Sequence, residues 1–498
     1  MNKLLRMMRR KAAAAAALSV AAAALVAAPP PARAQSAGLD LRPAAASAQP
    51  AATPATARPD KTPATPTTPA TPATATAALL QDGRALERYV DPAAGLTVDA
   101  AVLRALEQNG ELLAARQELE AARALVRQAS LRANPQVGAG GSKQLNGGDN
   151  SLMVEGVLPL ELGGRRAARV RVAERELEVR EQMVADRERA LAAEVRMKFG
   201  EALAEILKLG FNDDQLGASR RGYRLVNARV IEGRSAPLER NMTLVEVNRL
   251  LSMREAAEGR VQVAVLELKN LVGMGPEEPL RLRGDFIELI GALPPLAEAT
   301  EQALRERPDI RAARAAEALA EAQVEQARAE GRPDASVRAG YQRMKQGFMV
   351  NGIDETGRLA PVEMTSHGVT FGVMIDLPVR NRNQGTVEAA VAQGEAARRR
   401  REFLELTVRR EVAAAYALYE RSARAMEVFR VGVRGQADDN LEVIRKTYEL
   451  GAKTLLDYIA EQRRYYEVES EYVDAILGTY RARVEISRAS GGAELIKR

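Results

Sequence analysis

The 498-residue sequence has no cysteine, no tryptophan, a single histidine (His367) and only 4% aromatic residues. Without cysteine there are no disulfides, so packing alone must hold the fold. The same absence excludes a lipid-modified N-terminal cysteine. One histidine excludes a multi-histidine metal centre within one chain. Excess charge is also missing from most of the chain: Lys3, Arg6, Arg9, Arg10, Lys11 and Arg33 account for the whole formal net charge of +6, with no acidic group among residues 1–34. A nucleic-acid partner therefore loses its main support, because phosphate binding needs an excess of Lys and Arg.

Those basic residues lead into an apolar run from Ala12 to Ala28 and a small-x-small site at Ala32-Arg33-Ala34. Residues 1–34 thus read as a signal peptide. The competing reading, a membrane anchor, is weakened by a run that is mostly Ala and ends in Pro29-Pro30-Pro31. Residues 35–90 are rich in Ala, Pro and Thr, as in Thr62-Pro63-Ala64, Thr68-Pro69-Ala70 and Thr71-Pro72-Ala73. Proline at that density with few large apolar side chains predicts a flexible tether.

The remainder of the chain is duplicated. Ala105-Leu106, Ala114-Ala115-Arg116, Val126, Gln128, Ala129 and Pro135 recur 198 positions later, as Ala303-Leu304, Ala312-Ala313-Arg314, Val324, Gln326, Ala327 and Pro333. Gly233, Leu238 and Gly273 recur 218 positions later, as Gly451, Leu456 and Gly491. A fixed shift over such lengths means duplicated units, with roughly 20 extra residues inside the second. We read repeat 1 over 95–275, a Pro- and Gly-rich connector over 276–298, and repeat 2 over 299–492.

Each repeat begins helical: Leu112, Ala115, Leu119, Ala122 and Val126 fall on one helix face, and Asn134-Pro135 or Arg332-Pro333 closes the segment. The period then drops to two. Ala335, Val337, Ala339 and Tyr341 alternate with Ser336, Arg338, Gly340 and Gln342, and Val369, Phe371, Val373, Ile375 and Leu377 alternate with Thr370, Gly372, Met374 and Asp376. Repeat 1 shows Leu152, Val154, Leu158 and Leu160 in the same pattern after a Gly-rich partner. The predicted strands cover about 135–145 and 151–162, then about 334–346 and 366–379. The first hairpin turns at Asn146-Gly147-Gly148-Asp149-Asn150; the second has a long loop from roughly Gly347 to Ser366. Long helical pairs occupy about 164–273, reversing between Gly210 and Leu216, and about 384–488, reversing between Arg434 and Ala437. Asp213-Asp214 and Asp438-Asp439 are expected to cap the returning helices.

Strands of about ten residues are long enough to cross a bilayer at a tilt. Four strands cannot close a barrel, since single-chain barrels begin at about eight, so closure needs further copies of the chain. The competing reading is a pair of hairpins packed on helices in water, which leaves strand edges to be covered.

These features resemble the TolC family of outer-membrane efflux proteins over about residues 95–492. The resemblance is carried by Arg307-Pro308-Asp309-Ile310-Arg311-Ala312-Ala313-Arg314 and by two strand-to-helix passages. One is Pro159-Leu160-Glu161-Leu162-Gly163-Gly164-Arg165-Arg166; the other runs from Asp376-Leu377-Pro378-Val379 to Arg380-Asn381-Arg382-Asn383-Gln384-Gly385. The passages are most similar to the CzcC-type subunits of heavy-metal resistance pumps. The resemblance implies a mainly α fold with a membrane β part, in which three chains form a 12-stranded β-barrel continuous with a periplasmic α-helical barrel. It implies an exit duct in the outer membrane, served by a periplasmic adaptor and an inner-membrane pump of the RND type, without catalysis and without a cofactor. Metal cations are the implied cargo; a multidrug or type I secretion duct is the alternative, and a soluble periplasmic coiled-coil scaffold the alternative of another class.

The family match also implies a gate at the periplasmic end, in Tyr448-Glu449-Leu450-Gly451-Ala452-Lys453-Thr454-Leu455-Leu456-Asp457. By position Asp457 matches a constricting aspartate, Lys453 the basic residue before it, and Tyr448 a tyrosine that ties the tip shut. Ala460 stands where a second aspartate is expected, with Glu461 beside it. From the residues alone, Asp457 and Lys453 read instead as an ordinary exposed helical ion pair. His367 lacks the co-ligands a metal needs, and Met344, Met349 and Met364, flanking the long loop, read as packing residues with soft-metal contact as the alternative.

Overall fold

Each repeat is tied at a matching point by a different residue. Asn109 Nδ2 donates to the Leu271 carbonyl at 3.1 Å, and 198 positions on Arg307 Nη1 donates to the Ala489 carbonyl at 3.1 Å. The computed structural model in which these contacts occur describes residues 86–145, 147–291, 293–353, 357–492 and 495. All fall within one compact unit, Thr71–Arg498. The expected signal peptide and residues 35–85 of the expected tether lie outside the described residues.

The chain order is α1 (Leu86–Tyr89), α2 (Val98–Gln108), α3 (Gly110–Ser130), β1 (Gln136–Lys143), β2 (Asn150–Pro159), α4 (Arg165–Ile231) and α5 (Pro237–Leu271). After α6 (Phe286–Ile290), repeat 2 continues with α7 (Leu296–Glu306), α8 (Pro308–Glu330), β3 (Asp334–Ile353), β4 (Leu359–Asp376) and α9 (Gln384–Val428). A π-helical turn, Phe429–Val433, passes α9 into α10 (Arg434–Glu449), and α11 (Leu455–Ala489) returns.

Order begins earlier than the tether reading allows. Tyr89 is buried, and Val90 and Leu96 both bridge to Leu282 of the connector, with Leu282 N–H on the Tyr89 carbonyl at 2.8 Å. The connector is likewise part of the core, through Leu280, Leu282 and Phe286. Its Pro and Gly content conceals two apolar side chains on an extended strap, Leu280 and Leu282, and a third, Phe286, that opens α6.

The helix reversals also sit elsewhere than the sequence reading puts them. Helix α4 runs through Gly210 and Gly217 for 67 residues, about 100 Å. Residues Phe429 to Glu449 likewise continue the outgoing helix of repeat 2 past Arg434. A lone glycine costs a helix only about 1 kcal/mol and need not end it. Gly233 and Gly451 do end it, because both hold positive φ, 74° and 78°. Asp213-Asp214 and Asp438-Asp439 therefore lie inside α4 and α10 rather than at caps, and Asp213 instead meets Arg254 Nε at 2.9 Å.

The main core joins the two repeats. Phe199, Leu203, Ile206 and Leu209 of α4 pack with Ala101, Val102 and Ala105 of α2, Val261 and Leu268 of α5, and Val473, Leu477 and Tyr480 of α11. Tyr480 meets Phe286 edge-on at 5.6 Å and donates its hydroxyl to the Arg196 carbonyl at 3.0 Å. A smaller core unites α7, α8, α9 and α11 around Ile310, Val408, Val412 and Ile486.

The strands form one antiparallel sheet in the order β1-β2-β3-β4. Pairing of β2 with β3, Val154 opposite Tyr341, joins the two hairpins and leaves β1 and β4 as open edges. Rows across the sheet show two unlike faces. One carries Ala139–Val154–Tyr341–Val369, Val137–Gly156–Ala339–Phe371, Leu158–Val337–Val373 and Ala335–Ile375. Apart from Ala335, buried next to the helices, its large apolar side chains are exposed, Phe371 by 82%. The other carries Ser336, Arg338, Gly340 and Gln342 against Gly368, Thr370, Gly372 and Met374, with Glu155 near Arg338. The second hairpin extends past the expected loop, as Phe348, Val350, Ile353, Leu359 and Val362 belong to β3 and β4, with a register shift between Gly347 and Asn351. These are β-favouring residues, whose pattern the bulge interrupts. Among the described residues no helix is long and apolar enough to cross a membrane.

Candidate functional site: the helical tips and strand passages

Both tips are built by the same backbone stop. At the end of α4, Gly233 N–H bonds the Val230 carbonyl at 3.1 Å and Arg234 N–H the Arg229 carbonyl at 2.7 Å. At the end of α10, Gly451 N–H bonds the Tyr448 carbonyl at 3.0 Å and Ala452 N–H the Thr447 carbonyl at 2.9 Å. The returning helices differ. Helix α5 starts on Pro237 with no side-chain cap, whereas α11 starts on a capping box of Thr454 and Asp457.

That box defines Asp457. Its carboxylate accepts from Thr454 N–H at 3.0 Å and from the Thr454 hydroxyl at 2.8 Å, while Thr454 Oγ1 accepts from Asp457 N–H at 3.2 Å. These bonds, with a lesser pull from Lys453, hold the carboxyl below its ordinary value, so a fully exposed anion sits at the tip. Lys453 precedes the helix and makes no ion pair with Asp457, so the helical ion-pair reading does not describe this tip.

Tyr448 stacks on Tyr458 with ring centres 5.6 Å apart and planes inclined by 5°. Burial raises the pKa of both phenols, and Arg229 of repeat 1 sits against Tyr448 and partly offsets the rise. Glu461 is partly buried, with Oε2 3.6 Å from Arg464 and Oε1 without a hydrogen-bond partner. It does not stand beside Asp457 as a second exposed anion.

Sequence reasoning missed Tyr458, Arg229 and a cross-repeat link further up the helices. Glu246 of α5 accepts from Arg249 at 2.7 and 3.0 Å and forms an ion pair with Arg463 of α11. Burial pushes the Glu246 carboxyl up, but the two guanidiniums outweigh it and hold the group below its ordinary value. A groove of about 270 Å³ beside this link is lined by Lys208, Gln215, Arg249, Arg260, Arg463 and Tyr466. The residues of the link are separated by 217 positions, so no local pattern announces them.

At the strand-to-helix passages, Gly163 and Gly164 hold φ of 71° and 82°, and Asn383 holds 61°. A Cβ on Gly163 would lie 2.9 Å from Arg332 Cβ. Leu162 N–H and Arg165 both bond Asp334 at the start of β3, at 2.8 and 2.9 Å. In repeat 2, Asn383 Nδ2 bonds the Ala327 carbonyl at 2.9 Å, and Gln384 Oε1 accepts from Arg382 N–H at 2.8 Å. Gly385 faces open space. Among the described residues, no group of three or more His, Cys, Asp or Glu could hold a metal ion.

The sequence profile of the outer membrane efflux proteins matches residues 101–274 and 299–492, the two repeats in turn. The chain belongs to the outer membrane efflux protein family. As a member it is an outer-membrane efflux duct with a large periplasmic helical part, a transport protein of the TolC type. It is similar to the cobalt-zinc-cadmium resistance protein CzcC of Cupriavidus metallidurans, 26% identical over 80% of this chain and 91% of that protein. The fold matches crystal structures of CusC, at 20% identity and TM-score 0.65 over 80% of this chain and 92% of that one. It also matches the open-state MtrE outer membrane channel of Neisseria gonorrhoeae, at 20% identity and TM-score 0.63, with 79% and 89% covered. Family membership sets aside a soluble scaffold.

Proposed function

We propose that three copies of this efflux duct close a 12-stranded barrel through the open edges of β1 and β4, and that the duct passes metal cations delivered by a periplasmic adaptor and an RND-type pump. The observation that carries this is the four-stranded sheet with one exposed apolar face, one polar face and two free edges. Such edges are satisfied in lipid only by closure. The apolar face then meets lipid and the polar face, with Arg338, Glu155 and Gln342, lines the lumen. Similarity to CzcC favours metals over drugs or secreted proteins as cargo. A deletion strain should lose resistance to divalent transition metals and retain it to drugs, with resistance restored by the intact gene. Unchanged metal tolerance would overturn the cargo.

The tips form the gate in this reading. Three Asp457 carboxylates around the axis present an acidic ring that draws cations. Asp457→Asn should therefore lower cation over anion selectivity in planar bilayers, whereas Lys453→Gln should raise it. Equal reversal potentials in a salt gradient for all three proteins would remove Asp457 from the pore.

A further inference from the structure

The apolar face of the sheet changes character at the end away from the helices. Above the row Ala139–Val154–Tyr341–Val369 comes Gly141–Leu152–Arg343–His367, and above that Lys143–Asn150–Lys345–Thr365. Lys143, Arg343, Lys345 and His367 thus share the face of Val369 and Phe371, one or two rows beyond the last apolar row. All helices attach at the opposite end of the strands, so in a duct with periplasmic helices this rim lies at the outer leaflet.

We propose that this rim binds the phosphate groups of the phosphorylated glycolipid in the outer leaflet, lipopolysaccharide. The proposal rests on the membrane-barrel reading. Charge decides the ligand class: Lys345 is paired with Glu363, but neither Lys143 nor Arg343 has an acidic partner among the described residues. Arg343 sits on the same strand as Lys345 one row below, and Lys143 lies two strands away, about 10 Å across the sheet. A planar guanidinium can take two phosphate oxygens while the ammonium groups hold the rest. The Tyr341 hydroxyl lies 2.6 Å from His367 Nδ1, fixing the imidazole at the boundary where amphipathic rings settle. Cations at that height would be unfavourable against acyl chains and favourable against phosphate.

The test is lipid retention by the purified full-length oligomer, read by native mass spectrometry. The probes are bisphosphorylated lipid A, the same lipid stripped of phosphate, and inorganic phosphate added to a neutral-lipid sample. Wild type should retain the phosphorylated lipid about tenfold over the stripped one, roughly 1.4 kcal/mol. Lys143→Ala with Arg343→Ala should bring the ratio near one, and Arg343→Lys should recover part of it, with bilayer insertion unchanged in each. Equal retention of both lipids by wild type, a ratio unaltered in the double variant, or competition by millimolar inorganic phosphate would each overturn the lipid assignment. Failure of wild type to insert into any bilayer would instead sink the barrel reading, and this proposal with it.

Discussion

Replacing Arg307 with leucine is expected to destabilise the protein by about 3–5 kcal/mol, the cost of leaving buried charges without their partner. The side chain is 3% exposed and holds Asp309 at 2.6 and 3.0 Å, Glu411 at 2.8 Å and the Ala489 carbonyl at 3.1 Å. One guanidinium therefore joins α8, α9 and α11. Burial pushes the Asp309 carboxyl up, yet Arg307 more than offsets this and holds it below the ordinary value. A depressed carboxyl contributes stability above its unfolded pKa and loses it as pH falls through the folded one. The gap in thermal midpoint between wild type and Arg307→Leu should accordingly be wide at pH 7 and narrow as acid protonates the Asp309 carboxyl. Adding Asp309→Asn and Glu411→Gln should recover much of the loss, because the stranded anions are then gone. A single variant that melts within a degree or two of wild type would show the cluster to be incidental.

Cutting the links between repeats near the tips is expected to open the duct. Arg463→Ala with Tyr448→Ala removes the Arg463 ion pair to Glu246 and the phenol that stacks on Tyr458 and meets Arg229. Single-channel conductance in planar bilayers should rise several-fold, while the core around Tyr480 and Phe286, far along the helices, leaves the thermal midpoint nearly unchanged. Protonation gives an independent handle. Because the Arg249 and Arg463 guanidiniums hold Glu246 below its ordinary value of 4.5, its link is intact at neutral pH and fails only as the pH falls below that value. Wild-type conductance should climb in that range, and Glu246→Gln should be open and flat across it. Tyr448 contributes nothing to this change, since burial raises its pKa and it stays protonated. Conductance unmoved in both variants would place the constriction elsewhere.

The duplicated architecture was legible because repetition writes itself into spacing. Pro135 and Pro333, or Gly233 and Gly451, announce equivalent structural points without any contact being known. The sheet faces were legible for a related reason: alternation of Val369, Phe371, Val373 and Ile375 is a one-dimensional signal of a two-faced strand. Reversal points were less so. Gly210 and Gly233 look alike in sequence, and only the backbone angle, set by whether the next helix packs back at once, distinguishes a glycine that ends a helix from one inside it. The second hairpin was cut short for a similar reason, as the register shift near Gly347 breaks the alternation while pairing continues.

The candidate gate divides along the same line. Thr454 and Asp457, three residues apart at the start of α11, form a capping box that local sequence encodes. The Tyr448–Tyr458 stack spans a turn, and the Glu246–Arg463 pair spans both repeats. By itself the sequence determined what periodicity and duplication can carry: two copies of a helix, hairpin and long helical pair, with one apolar face per strand. Only the tertiary structure decided which hairpins share a sheet, where the helices turn and which charges meet, because those depend on contacts between residues hundreds of positions apart.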